Sequence, residues 1–490
     1  MEPLKKVPIR LLTRPRPVLL CQAREIHSTH GKGSQSTTAA FPSYPHSDEA
    51  HKSFAPAYTQ PALAELSLSS VLRTFMITSI SSSPSLLAAS TSILKQMLKS
   101  NSFLVNVDSN PVVRAVLNQT FYKQFCAGES AAEAQAMMQK LQDIGYSGVI
   151  LEYALEVLER AEEDPEIAVE RWRTGLLKTV EMANPGDFVG LKWSGLGSAA
   201  HSLLKSKSPP TPSMSQAMDD VCSAASAKSV SLLPAAEETN TNPGYYTWTL
   251  NAQRKYNLDP SRRPTVYATY QAYLRATPAI LASHLSDAKK NGFTLGIKLV
   301  RGAYLSTEAP ELLQPSKEGT DAVYDSLMLQ VLKSRYGGIL QPDYSTIDLA
   351  SFPKVAVVLA THNAESIRKA QMIRSSQRLE ALSPNKTLPD LCYGQLQGMA
   401  DEVSCELIKA AKVAEETEKE GNGQELARKW LADPPRVYKA TTWGSLRECL
   451  NYLIRRAAEN KDAAGRTMGT RDAMKEELLR RAKTLMGLGD

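Results

Sequence analysis

The six cysteines of this chain, Cys21, Cys126, Cys222, Cys392, Cys405 and Cys449, form no C-x-x-C pair and keep no regular spacing. Neither a disulfide framework nor a structural zinc site is indicated, and a reducing compartment fits. Long hydrophobic runs are missing as well. The best candidate, residues 66–98, is broken by Arg73, Pro84, Lys95 and many serines, so no segment has the length and apolarity of a spanning helix. The chain reads as soluble or peripherally attached. The formal net charge is +6, but residues 1–33 hold seven Lys/Arg against two Glu, which leaves the remainder near neutral. This argues against a nucleic-acid-binding body.

What is present falls into blocks. Residues 1–33 are basic and poor in acids, and they place Leu4, Val7, Leu11, Leu12, Val18 and Leu19 on what could be one helical face. This is the composition of a mitochondrial transit peptide rather than of a secretory signal. Residues 34–62, rich in Ser, Thr, Pro and His, read as a disordered linker. A helical arm is predicted over 63–142, its clearest helix running from a capping Ser130 to Ile144.

From Gly145 the rhythm changes. Eight short β-rich runs alternate with helical patterns: 147–153, 187–193, 229–233, 265–270, 293–300, 355–360, 391–396 and 436–441. Eight βα units predict an α/β fold, a closed (β/α)8 barrel spanning 143–465, with a helical tail over 466–490. In such a barrel the chemistry belongs at the C-terminal ends of the strands.

Those ends carry a consistent set of side chains. Lys192 sits in the second run, facing either outward or into the barrel, where it would need an anionic partner. Gly195, Gly197 and Ala200 match a dinucleotide fingerprint only formally, because no acidic partner follows at the right distance. Gln271, the Arg301-Gly302-Ala303-Tyr304 stretch, Thr361-His362-Asn363 and Gln395 end later runs. Amides, an imidazole, glycines and cations without a catalytic triad or a metal-ligand cluster suit a large cofactor held by hydrogen bonds. The last strand is followed by Ser445 and Glu448 in capping-box spacing, which starts a helix running to about Asn460. Arg455 and Arg456 could converge on one carboxylate, with Glu459 nearby, although this spacing also describes an ordinary solvated helix face.

Four blocks in order, Gly296 to Tyr304, Thr361-His362-Asn363, Gln395 to Met399 and Tyr452 to Asn460, resemble the signatures of the proline dehydrogenase family, in particular its mitochondrial, fungal-type members. The resemblance covers about 120–465. It implies a barrel holding FAD at the strand tips with the final helix over the mouth, no metal, and oxidation of L-proline to pyrroline-5-carboxylate. It further implies electron transfer to a quinone, a matrix-side mitochondrial location and peripheral association with the inner membrane. By the same resemblance Arg455 and Arg456 clamp the substrate carboxylate, Lys192 assists, and Tyr304 and Leu299 wall the ring. The flavin would be held by Gln271, Lys298, Val300, Gly302, Ala303, Lys317, Thr361, His362, Asn363, Gln395 and Glu459. Two departures stand out: Ala235 replaces an acid of the family, and Ala440 replaces a tyrosine for which Tyr438 could compensate only by a two-residue shift of register. A hydroxyproline or other imino-acid dehydrogenase, or a flavin-binding paralogue with impaired turnover, are the alternatives.

Overall fold

The computed structural model describes residues 61–154, 164–342, 352–380, 388–419, 433–459 and 464–488. The expected transit segment 1–33 and most of the expected linker lie outside them.

The arm opens with α1 (Leu68–Ser81), α2 (Pro84–Lys99) and α3 (Pro111–Leu117). Each start has a local cause. The Ser67 and Asn110 side chains accept backbone N–H groups of the first turns, and Pro84 and Pro111 occupy first-turn positions where no N–H is required. A π-helical turn (Asn118–Tyr122) leads to the three-residue strand β1 (Cys126–Gly128), and α4 (Ala131–Ile144) follows from the Ser130 cap to a left-handed Gly145.

The eight runs are all strands: β2 (Gly148–Tyr153), β3 (Phe188–Leu191), β4 (Ser231–Pro234), β5 (Tyr267–Gln271), β6 (Leu295–Val300), β7 (Val355–Ala360), β8 (Asp390–Leu396) and β9 (Arg436–Trp443). All pairings are parallel, in the order β4-β3-β2-β9-β8-β7-β6-β5. The remaining seam closes through the Leu232–Val266 bridge, where the Leu232 N–H donates to the Thr265 carbonyl at 2.6 Å. The fold is the expected (β/α)8 barrel. β1 is an addition, lengthening the sheet where β9 outruns β8: Cys126 pairs with Thr442 beyond the last β8 partner, Ala440.

Two cores separate the faces of the barrel wall. Ile150, Phe188, Leu233, Tyr267, Ala356, Val358, Cys392 and Tyr438 fill the interior. Their strand neighbours, among them Val189, Leu191, Leu232, Tyr270, Ile297, Leu299, Val357, Leu359, Leu391, Tyr393 and Val437, form the larger core against the surrounding helices. These helices include α5 (Pro165–Met182), α6 (Ser198–Lys205), α7 (Pro212–Lys228), α8 (Asn242–Tyr256), α9 (Thr277–Asn291), α10 (Lys317–Leu332), α11 (Ala364–Glu380) and α12 (Asp401–Lys419).

The final barrel helix, α13 (Leu446–Glu459), begins with a reciprocal capping box. Ser445 N–H donates to Glu448 Oε2 at 2.9 Å, and Glu448 N–H donates to Ser445 Oγ at 3.3 Å. Leu446, Cys449, Leu450 and Ile454 pack against Leu94 and Leu98 of α2, Val107, and Leu117 of α3. The arm therefore backs the helix that follows the last strand. The tail is one helix, α14 (Ala464–Leu485), whose Met474 joins Leu63, Leu66, Val71 and Cys405 in a small core. The five cysteines among the described residues are buried free thiols.

Candidate active site

Inward parity carries polar side chains as the strands rise from the apolar interior to the C-terminal rim. On β2 the inward set is Ile150 then Glu152; on β3, Phe188, Gly190 and, just past its end, Lys192. Gly190 is required here, because a Cβ would lie 2.5 Å from Glu152 Cγ. On β6 the same parity points Lys298 inward.

Lys192 Nζ lies 3.3 Å from Glu237 Oε1, on the loop after β4. Burial pulls its pKa down, but the attraction of Glu237 and Tyr304 outweighs burial and the repulsion from Arg456, so its ammonium is held above its ordinary value. The structure thus brings Lys192, Glu237, Tyr304 and Arg456 into one electrostatic cluster, although they come from four separate stretches. The Arg456 guanidinium lies 5.4 Å from the centre of the Tyr452 ring, and the Tyr452 hydroxyl donates to Glu152 Oε2 at 3.0 Å. Burial and then the Glu152 charge push that hydroxyl well up. Lys298 faces the opposite situation: enclosure lowers its pKa, the Glu152 charge opposes this only partly, and its ammonium makes no hydrogen bond or ion pair among the described residues. Arg455 stands beside Arg456 on α13 and is half-buried; Glu459 ends the helix, and its side chain lies outside the described residues.

Other expected residues serve the scaffold around this cluster. The Gln271 amide is fixed at both ends: its Oε1 accepts from Asn242 Nδ2 at 2.9 Å and its Nε2 donates to the Glu237 carbonyl at 3.0 Å. His362 Nε2 accepts the Leu396 N–H at 3.1 Å, and Asn363 Oδ1 accepts the Ser366 N–H and caps α11. Thr361 Oγ1 accepts from Arg301, whose guanidinium also reaches Asp321 at 2.5 Å and Ser366 at 2.9 Å and lies over the Tyr324 ring. Arg301 thereby ties the tips of β6 and β7 to α10 and α11. Lys317 is exposed on the first turn of α10 and pairs with Asp321 at 2.6 Å. Val300 points inward and is half-buried, whereas Ala303 is exposed on the loop that follows.

Three expectations need correction. Leu299 does not wall the lumen: it has outward parity and belongs to the core between sheet and helices. Gln395 also points outward, where its Nε2 donates to the Thr361 carbonyl and its Oε1 accepts from Ser404 of α12. Tyr438 cannot stand in for the tyrosine replaced by Ala440, because it pairs with Gly148 at the start of β2, and its hydroxyl meets Arg263 at the barrel floor. Gly302 serves a packing need that the sequence did not disclose: at φ +139°, a Cβ would lie 2.3 Å from the Tyr273 ring.

Glu152 is a member of the cluster that is not among the expected site residues. The available signal was a single acid at the end of a strand otherwise buried on both faces. Glu237, two residues beyond Ala235, supplies Lys192 with the carboxylate that Ala235 lacks.

The sequence model of the family described as Proline dehydrogenase matches residues 129–468. The chain is 27% identical over 399 residues to mitochondrial proline dehydrogenase 1 of Dictyostelium discoideum, covering 71% of this chain and 62% of that protein. With the Homo sapiens protein of the same name it shares 30% over 279 residues, 55% of this chain and 39% of that one. It is also 27% identical over 427 residues to hydroxyproline dehydrogenase of Bos taurus, 76% of this chain and 83% of that protein. The chain thus spans less than two thirds of the length of the first two relatives. Among solved structures, proline utilization A from Bdellovibrio bacteriovorus inactivated by N-propargylglycine superposes with a TM-score of 0.54 at 16% identity, over 77% of this chain and 37% of that one. That likeness concerns the fold alone.

Proposed function

The chain belongs to the proline dehydrogenase family, and on that premise we propose that it oxidises L-proline to pyrroline-5-carboxylate, using FAD held at the barrel mouth and passing electrons to a quinone. The observation that carries this reading is the convergence of Lys192, Tyr304 and Arg456 at a rim whose enclosed Lys298 has no protein partner among the described residues.

An enclosed, unpaired cation fits a ligand rich in carbonyl and ring-nitrogen acceptors, and a flavin is such a ligand. In this reading Lys298 and Val300, with inward parity, face it from β6. The loop after that strand, with Gly302 and Ala303, and the tip of β7, with Thr361, His362 and Asn363, lie along it; Gln271 borders it from β5. Lys317 and Glu459 stand at its periphery. When bound, the flavin would supply the acceptor for the hydride that leaves C5 of the substrate.

The protein's own contribution is electrostatic and positional. Arg455 and Arg456 take the substrate carboxylate, with Lys192 adding a third positive charge, and Tyr304 offers a flat wall to the ring. Hydride departure requires an uncharged amine. A rim dominated by Lys192, Lys298 and Arg456 disfavours a further cation and so promotes loss of the amine proton. Glu237 keeps Lys192 charged and aimed. The mitochondrial names of the two proline dehydrogenase relatives, together with the basic, acid-poor 1–33 segment, support import into mitochondria; a matrix-side position peripheral to the inner membrane is part of the same proposal.

A second reading, oxidation of a hydroxylated proline, is favoured by Ala235 and Ala440. Both are short side chains on the inward parity of their strands, and they leave room beside the ring. Purified protein, recorded anaerobically, separates the readings. Oxidised-flavin absorption bleached by L-proline supports the first, and bleaching by trans-4-hydroxy-L-proline alone supports the second. A stable yellow protein bleached by neither identifies a paralogue with impaired turnover, and a colourless protein that takes up no FAD overturns the proposal.

A further inference from the structure

The helix that carries the paired arginines is held in two ways. Leu446, Leu450 and Ile454 of α13 pack with Leu94, Leu98 and Leu117 of the arm, which fixes its apolar side. The other tie is polar: the Tyr452 hydroxyl donates to Glu152 Oε2 at 3.0 Å. Tyr452 precedes Arg456 by four residues, about one helical turn, and the Arg456 guanidinium lies 5.4 Å from the centre of its ring. A chain of contacts therefore runs from the tip of β2 through Tyr452 to Arg456.

The fold does not need an acid at the head of this chain. Ile150, two residues earlier on the same parity of β2, is apolar, and another apolar side chain would continue the packing up the strand. Instead β3 gives up a side chain to make room for a carboxylate. Gly190 pairs with Glu152 in register, and a Cβ there would lie 2.5 Å from Glu152 Cγ and 2.6 Å from Oε1. On the other flank, Thr442 of β9 pairs with Glu152 and meets the Tyr452 hydroxyl as well. A half-buried acid for which a neighbouring strand forgoes packing points to a task other than folding.

Lys298 shares the inward parity on β6. It forms no ion pair with Glu152, yet the Glu152 charge is the attraction that partly offsets the burial of its ammonium. Building on the reaction proposed above, we propose that Glu152 is a positioning residue with two effects: through Tyr452 it fixes the Arg456 guanidinium for the substrate carboxylate, and through its charge it balances the enclosed Lys298. One carboxylate thereby couples the substrate grip on α13 to the cation that faces the flavin from β6.

The test uses the full chain at saturating FAD. Binding of pyrrole-2-carboxylate, a ring carboxylate that cannot give up a hydride, is measured by calorimetry beside steady-state kinetics with L-proline. Tyr452→Phe keeps the ring beside Arg456 and deletes the hydroxyl; it should weaken pyrrole-2-carboxylate binding and raise KM about tenfold while lowering kcat by less. Glu152→Ala should lose a similar factor, and the double variant no more than either, because both changes cut one tether. Glu152→Gln, whose amide oxygen can still accept from Tyr452, should lose less than about threefold. The charge is read separately by thermal melting: Glu152→Gln should lower Tm more in the wild-type background than beside Lys298→Met, where no cation remains to be balanced. Wild-type affinity in Tyr452→Phe, equal losses in Glu152→Gln and Glu152→Ala, or a melting shift that Lys298→Met leaves unaltered overturns the inference. If L-proline bleaches the wild type and Tyr452→Phe matches it in affinity, this inference alone is lost. A wild type that takes up no FAD removes the proposed reaction, and the inference with it.

Discussion

The two ends of the barrel hold charged residues of similar kinds and treat them in opposite ways. At the floor, Asp390 receives Arg263 Nε at 3.1 Å and also Arg436, while Arg263 donates to the Gly186 carbonyl at 2.8 Å, meets the Tyr438 hydroxyl and lies over the Phe188 ring. At the mouth, Lys192 has one carboxylate at 3.3 Å and Lys298 has no partner among the described residues. A charge network closed within the protein serves the fold, and one left open is what the proposed ligand would complete. Position along the strand, rather than residue type, separates the two roles.

The comparison can be broken at either end. Arg456→Ala should lower kcat/KM for proline by at least about a hundredfold, corresponding to roughly 3 kcal/mol, mainly through weaker substrate binding and with the flavin spectrum retained. Arg455→Ala should act in the same direction. Steady-state kinetics and a substrate titration of the visible spectrum check this, and unchanged proline affinity would remove the clamp. At the floor, Asp390→Ala leaves two guanidiniums facing one another and should cost about 2–3 kcal/mol in denaturant unfolding, with little effect on KM. A large kinetic effect without loss of stability would abolish the distinction between the ends.

A pH series sharpens the comparison by locating a titrating group at neither end. His284 on α9 lies outside the barrel wall with its Nδ1 2.9 Å from the Tyr270 hydroxyl, and burial holds its pKa near 4, below the ordinary 6.5. As pH falls through 6.5 towards 4, the unfolded chain takes up a proton that the folded chain refuses. Stability present above 6.5 is therefore lost across that window, by roughly 3 kcal/mol. His284→Phe should flatten this part of the stability profile. The smallest effect has the opposite sign: Lys298→Met removes an enclosed cation and should raise stability by about 1 kcal/mol while weakening flavin retention. Melting curves with and without added FAD test both halves.

The fold was legible because eight apolar runs at βα spacing are a strong pattern, and each became a strand within a few residues of its expected bounds. β1 was not legible, since a Cys-Ala-Gly stretch becomes a strand only by pairing with the overhanging end of β9. Side-chain direction was the weaker inference. A strand buried on both faces shows no alternation of polarity, so nothing in the run from Leu295 to Val300 distinguished outward Leu299 from inward Lys298 until the register was known. Gln395 was misplaced for the same reason. Lys192 was easier, because a cation at a strand end demands an explanation. Its partner Glu237 lies on a loop whose course depends on the fold of β4 and α8.

The helix bearing the paired arginines is held from behind by side chains more than three hundred residues earlier in the sequence. During synthesis, Leu94, Leu98 and Leu117 must wait with their natural cover still untranslated, and the proposed arginine clamp can form only after the whole barrel has emerged from the ribosome. A nascent chain arrested anywhere before α13 would therefore lack the proposed clamp, and it would present a sticky apolar groove to chaperones.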